Sequence, residues 1–228
     1  AGYCVGGCVR DCLLGRTPAN WDITTDALPS QVKAVFRDCR LLETGLRHGT
    51  LTLVLQGEKL EITTFRVDGP YSDGRHPDKV SFTSRLEQDL SRRDFTINAM
   101  AICLNADRFG ELVDPFNGLV DLAKRVIRTP LDPDITFSDD PLRMMRAIRF
   151  ATQLGFYIEQ STFDAIARNA TRIEIRSQER ILDELDKIIL SPKPSMGFLL
   201  LEEAGLLELI FPELHALKGV ETREGMGH

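Results

Sequence analysis

Along the first 130 residues hydrophobic and polar positions alternate in short runs, and beyond them they settle into a helical period. Thr50–Leu55 and residues 60–66 alternate on either side of Gly57-Glu58-Lys59, the pattern of a β-hairpin. Residues 98–104 and 111–114 predict a second hairpin, turning through Asp107-Arg108-Phe109-Gly110. Gly6-Gly7 opens a short helix, a short strand follows around Trp21, and residues 30–36 read as another helix behind Leu28-Pro29. The polar stretch 68–78, punctuated by Gly69, Pro70, Gly74 and Pro77, reads as a mobile loop. In the second half a helix is predicted from Ser138 or Asp139 to about Leu154, with Pro141 tolerated in its first turn. Further helices fall near 161–171, 178–190 and 196–207, and residues 219–228 read as loop. The expected fold class is α+β, a small mixed sheet followed by an all-helical region.

At 228 residues the chain has room for one large domain or two smaller ones. No apolar run approaches the roughly 20 residues that a membrane helix needs, so no membrane partner is expected. No signal segment opens the chain, and Ala1-Gly2 reads as a start in mid-strand. A net charge of −6 provides no global field for nucleic acid, so any such contact must use local patches. Arg92-Arg93, Arg143/Arg146/Arg149 and Arg168/Arg172/Arg176/Arg180 are such patches, and the first two sit among other chemistry-bearing residues. Cys4, Cys8 and Cys12 recur every four residues but lack paired zinc spacing or clustered His. They read as small core residues, and the odd total of five cysteines points to a reducing, cytoplasmic location.

The candidate chemistry begins at the Gly6-Gly7 turn, where bare backbone N–H groups can approach a phosphate and Arg10 adds a forked cation one turn later. Asn20 and Asp22 sit two apart on the next strand, so both side chains leave one face. Two carboxylates at that spacing would hold a divalent metal at a triphosphate. Here the first is an amide. Glu61, on the second strand of the first hairpin, is an ordinary exposed strand residue taken alone; beside the strand of Asp22 it would converge on the same centre. Arg92 and Arg93 offer planar forks to phosphate oxygens, and Asp94 and Asn98 suit ribose hydroxyls. A polar helix end is the bland reading of that segment. Asp140 and Arg143, three apart, would share a helix face that Arg146 and Arg149 extend, and such a pair matches the edge of a base. Its alternative is an exposed salt bridge worth about 0.3–0.5 kcal/mol.

Taken in order, these motifs resemble the class II tRNA nucleotidyltransferases, the CCA-adding enzymes and their bacterial poly(A) polymerase relatives. The resemblance runs from Gly6-Gly7 through Asp22 and Glu61, Arg92-Arg93-Asp94 to Ala99, Asp114-Pro115-Phe116 to Arg128, Asp139-Asp140-Pro141-Leu142-Arg143, and Glu179-Arg180 onward. It implies a nucleotidyltransferase-fold head over residues 1–128 and a helical neck with the start of a body over 129–228. The family's C-terminal tRNA-gripping region would be absent from these residues. It further implies that Gly6, Gly7 and Arg10 contact the incoming triphosphate, with Arg93 and Arg92 taking its oxygens and Asp94 the ribose region. Asp22 and Glu61, with position 20, would form the catalytic centre and hold Mg2+. Asp140 and Arg143 would template CTP and ATP, with Arg146 and Arg149 alongside. Residues 114–118 would shift specificity from C to A, and Glu179 and Arg180 would brace the neck. The partner implied is the tRNA 3′ end.

Two positions depart from the family pattern. Asn20 replaces the first acid of Asp-x-Asp, and Asp139 stands where a glutamate is usual. Asn20 keeps the shape and one acceptor oxygen but loses a charge, so metal binding and activation of the attacking hydroxyl should weaken. An A-adding enzyme or poly(A) polymerase is the nearest rival; Ile97-Asn98-Ala99-Met100 and the loop ending Arg75-His76-Pro77 look more like the CCA-adding branch. A catalytically silent RNA-binding module is the rival of another class, favoured by Asn20 and opposed by Arg10, Arg93, Asp140 and Arg143.

Overall fold

The computed structural model describes residues 1–69 and 80–219. The predicted loop at 68–78 and the predicted terminal loop at 219–228 therefore lie almost wholly outside the described residues. The strands are β1 (Gly2–Val5), β2 (Trp21–Thr25), β3 (Arg40–Leu42), β4 (Thr50–Leu55), β5 (Glu58–Thr64), β6 (Arg66–Asp68), β7 (Val80–Phe82), β8 (Ala101–Cys103), β9 (Leu112–Val113), β10 (Val126–Ile127) and β11 (Tyr157–Ile158). Seven of them form one mixed sheet in the order β3-β4-β5-β2-β1-β8-β9. Four short helices interleave with these strands: α1 (Gly7–Leu13), α2 (Pro29–Val35), α3 (Leu86–Ser91) and α4 (Gly118–Lys124). The rest of the described chain is mainly helical: α5 (Pro133–Asp139), α6 (Leu142–Leu154), α7 (Gln160–Asn169), α8 (Gln178–Ile189), α9 (Pro194–Glu203), α10 (Leu207–Ile210) and α11 (Pro212–His215). This is the expected α+β architecture, a mixed sheet followed by helices.

The first hairpin forms as β4 and β5, with Leu55 opposite Glu58. That register leaves Gln56 and Gly57 as the turn, both at positive φ (52° and 88°), the handedness that matches strand twist. The turn thus falls one residue earlier than predicted. β2 lies parallel to β5, with Asp22 opposite Glu61. A parallel pair needs a long crossover, which α2, β3 and β4 supply.

Three predictions are corrected. Asn98 is not in a strand: Thr96–Asn98 is a 3-10 turn, and the second hairpin is confined to β8 and β9. Residues 94–101 are buried without exception, so the segment has no solvent face to produce alternation. The helix expected from Ser138 or Asp139 is two helices, α5 ending at Asp139 and α6 beginning at Leu142. Proline disfavours the helical conformation of the residue before it, and Asp140 is extended (φ −133°, ψ 95°). The last predicted helix, near 196–207, is α9 from Pro194 to Glu203 followed by a separate short α10.

One apolar core joins the two halves. It runs from Cys8 and Val9 of α1 through Phe95, Ile97 and Met100 to Met144, Met145 and Ile148 of α6 and Ile188 of α8. Helix α4 presses on the 3-10 turn at Gly118, where a Cβ would stand 2.3 Å from the Thr96 carbonyl oxygen. Any larger residue there would push away the segment that carries Asp94 and Asn98. The start of α1, the start of β2, that turn and the start of α6 share one opening.

Candidate active site

A cleft of about 840 Å³ lies at this opening. Gly6, Gly7, Arg10, Asn20, Asp22, Arg92, Arg93, Asp94, Asn98, Asp140, Arg143, Arg146 and Arg149 all line it. Glu61, alone of the predicted site residues, lines instead an adjoining cavity of about 240 Å³. Asp22, Arg92 and Arg93 face both, so they form the partition between the two.

Gly6 caps α1 at φ 77°, a left-handed angle that a side chain would strain. A Cβ there would also meet the Arg93 Nη1 at 3.0 Å and the Asp22 carboxylate at 3.7 Å. The glycine therefore lets an arginine and an acid close on the first turn of α1, whose N–H groups have no partner within the helix.

On the other wall the strand register sets Asp22 beside Glu61. Burial pushes the Asp22 carboxyl up, with the Arg93 charge opposing, and burial plus the Asp22 charge raise Glu61. Two neighbouring carboxylates that both resist ionisation form a donor set suited to a hard divalent cation. Asn20 lies one residue before β2, exposed at the rim of the cleft. Among the described residues no three His, Cys, Asp or Glu converge on one point. Two carboxylates with an amide at the rim give one charge fewer than three acids would, and Asp22 and Glu61 are the pair that the strand register brings together.

The arginines are braced rather than free-standing. The Phe150 ring has Arg149 at 4.0 Å, Arg10 at 4.9 Å and Arg146 at 5.4 Å from its centroid. Three cations around one ring would repel, and each has its own acid: Arg10 pairs with Asp11, Arg146 with Asp94 and Arg149 with Glu184. Arg10 also donates to Asn98 Oδ1 at 2.8 Å, so the fork expected to point at phosphate is largely engaged within the protein. Asp94 Oδ1 accepts from the Phe95 N–H and the Asn98 amide, and Oδ2 accepts twice from Arg146. Its acceptor capacity is filled, which makes it a brace for Asn98 and Arg146 more than a ribose ligand.

Burial alone would raise the Asp94 carboxyl, but Arg146 and Asn98 draw it down to about 2. A carboxylate held below its usual 3.8 stabilises the fold above that pH and loses the contribution as pH falls toward 2. Asp94→Asn should therefore cost about 2 kcal/mol at neutral pH, a deficit that shrinks between about pH 4 and pH 2. Urea unfolding of both forms across that range checks this; a constant deficit would contradict it.

The Asp140–Arg143 pair differs from expectation. Asp140 precedes α6, so the two do not ride one helix face. Its carboxylate accepts from the Leu142 N–H at 3.2 Å and faces Arg176 at 3.5 Å and Arg180 at 4.0 Å. Arg143 Nη2 donates to the Arg92 carbonyl at 2.8 Å, tying α6 to the segment that carries Arg92 and Arg93. Both still line the cleft, held apart by separate partners. Phe150 and Glu184 escaped the sequence reading because an apolar residue and an acid on a helical face carry no motif by themselves, and Arg176, read as one of a basic patch, pairs with Asp140.

The chain matches the model of the Poly A polymerase head domain over residues 2–128 and that of the probable RNA and SrmB-binding site of polymerase A over 155–218. It is 46% identical over 204 residues to a CCA-adding enzyme of Geobacillus thermodenitrificans, covering 90% of this chain and 49% of that protein. It superposes on the Bacillus stearothermophilus CCA-adding enzyme in complex with CTP at a TM-score of 0.80 and 40% identity, over 90% of this chain and 48% of the other. On the Thermotoga maritima CCA-adding enzyme complexed with tRNA_CCA the TM-score is 0.79 at 32% identity, over 93% and 48%. The chain thus spans about half the length of these relatives. With the head-domain model covering more than half of its residues, this chain belongs to the tRNA nucleotidyltransferase/poly(A) polymerase family.

Proposed function

We propose that this chain is the catalytic part of a metal-dependent nucleotidyltransferase that adds C, C and A from CTP and ATP to the tRNA 3′ end. In this reading residues 1–128 form the catalytic head and residues 129–228 the neck that selects the nucleotide. The observation that carries it is the meeting of Asp22, a glycine turn and two arginine clusters on one cleft, with Glu61 set opposite Asp22 from the adjoining cavity. The likeness to relatives crystallised with CTP and with tRNA supports the same substrates here. No helix among the described residues is long and apolar enough to cross a membrane. A reducing, cytoplasmic location belongs to this reading, with all five cysteines free.

The Gly6-Gly7 backbone with Arg93 and Arg92 would receive the triphosphate, and Asp140 and Arg143 the edge of the base. The RNA 3′-hydroxyl oxygen forms a bond to the α-phosphorus as the bond to pyrophosphate breaks, and the hydroxyl proton leaves to solvent. Asp22 and Glu61, with the Asn20 amide oxygen, would hold Mg2+, which supplies charge neutralisation on the triphosphate and acidifies the hydroxyl. Asn20 favours a second reading, a chain that binds nucleotide and RNA without turnover.

Base selection tests the assignment of the neck. Arg143→Ala should lower discrimination of CTP and ATP against GTP and UTP by about tenfold, since a correct base leaves a buried partner unmatched. Competition binding with the four nucleotides reads this. A uniform loss for all four would make Arg143 a phosphate-binding or structural residue.

A further inference from the structure

Asp89, near the end of α3, is completely buried and lines neither cavity. A buried carboxylate is costly unless its acceptor sites are filled, and those of Asp89 are filled by the machinery of the cleft. Oδ1 accepts from Arg92 Nε at 3.0 Å, Arg92 Nη2 at 2.9 Å and the Arg66 N–H at 3.2 Å. Oδ2 accepts from the Thr24 hydroxyl at 3.0 Å, and Arg93 Nη2 lies 3.6 Å from it. Thr24 is two residues beyond Asp22 on β2. One anion thus links both partition arginines to the strand that carries Asp22. It also offsets the repulsion between two adjacent guanidiniums, together with Asp68, whose carboxylate lies 3.6 Å from Arg92 Nη1.

We propose that Asp89 is a positioning residue that holds the Arg92 and Arg93 guanidiniums at a set distance from Asp22 to receive the polyphosphate tail of the incoming nucleotide. The inference rests on the proposed function and adds a residue that touches no substrate. It predicts a defect specific to the tail. A base and ribose would bind as before, while the phosphates beyond the first would meet misplaced forks.

The test is calorimetric binding of CTP and of CMP, each with magnesium, to the native chain and to Asp89→Asn. The variant keeps the shape and loses the charge. CTP affinity should fall about tenfold, the size of one charge-assisted hydrogen bond, and CMP affinity should stay within about twofold. Equal losses for both ligands, or an unchanged CTP affinity, would overturn the proposal. If Asp89→Asn does not melt cooperatively, Thr24→Val removes one bond to Asp89 and leaves every charge in place. It should lower the CTP-to-CMP affinity ratio about threefold; an unchanged ratio would overturn the proposal equally. A native chain that binds CTP no better than CMP would instead remove the triphosphate reading of the cleft itself.

Discussion

Asn20→Asp is expected to raise the single-turnover rate of nucleotide transfer by about 10²-fold, the scale of one electrostatic contribution at a transition state. The two acids present, Asp22 and Glu61, both resist ionisation through burial, and Glu61 also through the Asp22 charge. On the proposed reading a cation held between them would be under-compensated, and the shortfall would matter most as negative charge builds on the α-phosphate and the leaving pyrophosphate. Asn20 is exposed at the cleft rim, so an added carboxylate there loses little hydration. Nucleotide affinity should change by less than about threefold, because on the proposed reading the glycine turn and the arginines would bind ground and transition state alike. Saturating CTP and excess protein over RNA would isolate the chemical step. Equal rates for the two forms would remove position 20 from the metal site.

Glu184→Ala is expected to lower stability by about 3–5 kcal/mol, the usual cost of leaving a buried charge without its partner. Glu184 is 4% exposed and Arg149 9%. Arg149 Nε donates to Glu184, Nη1 donates to Gln153 at 3.0 Å, and the guanidinium lies 4.0 Å over Phe150. Without Glu184 a third cation at the Phe150 ring would stand uncompensated beside Arg146. Replacing both partners, Arg149→Met with Glu184→Leu, should recover most of the loss, since the ion pair gains little over packed apolar atoms. Urea denaturation measures both; a loss under about 1 kcal/mol for Glu184→Ala would show that the guanidinium rehydrates freely.

Residues near the sheet were legible because their chemistry is local. The Gly6-Gly7 turn and the hairpin of β4 and β5 follow from turn chemistry and the two-residue strand period, whereas the facing of Asp22 and Glu61 is expected only from the company of the other motifs, since their strands pair across a long crossover. Asp140 was misread by giving helical periodicity priority over the bar that Pro141 places on its predecessor. Asn98 was assigned to a strand because a fully buried 3-10 turn has apolar neighbours but no alternation. Asp89 and Glu184 were out of reach for another reason. Each sits in a polar run, Glu87-Gln88-Asp89 and Asp183-Glu184, that reads as a solvated face, and only tertiary packing shows which acid turns inward. Arg10 was found as a site residue, yet its engagement with Asp11 and Asn98 depends on a contact 88 positions away in sequence.

Incorporation of labelled nucleotides into a tRNA lacking its terminal CCA, by this chain and its Asn20→Asp form with magnesium, tests the central claim most directly. The account predicts ordered addition of C, C and A from CTP and ATP, no extension from GTP or UTP, and faster extension by the Asn20→Asp form. Runs of A without C, or no extension by either form while CTP still binds, would contradict it.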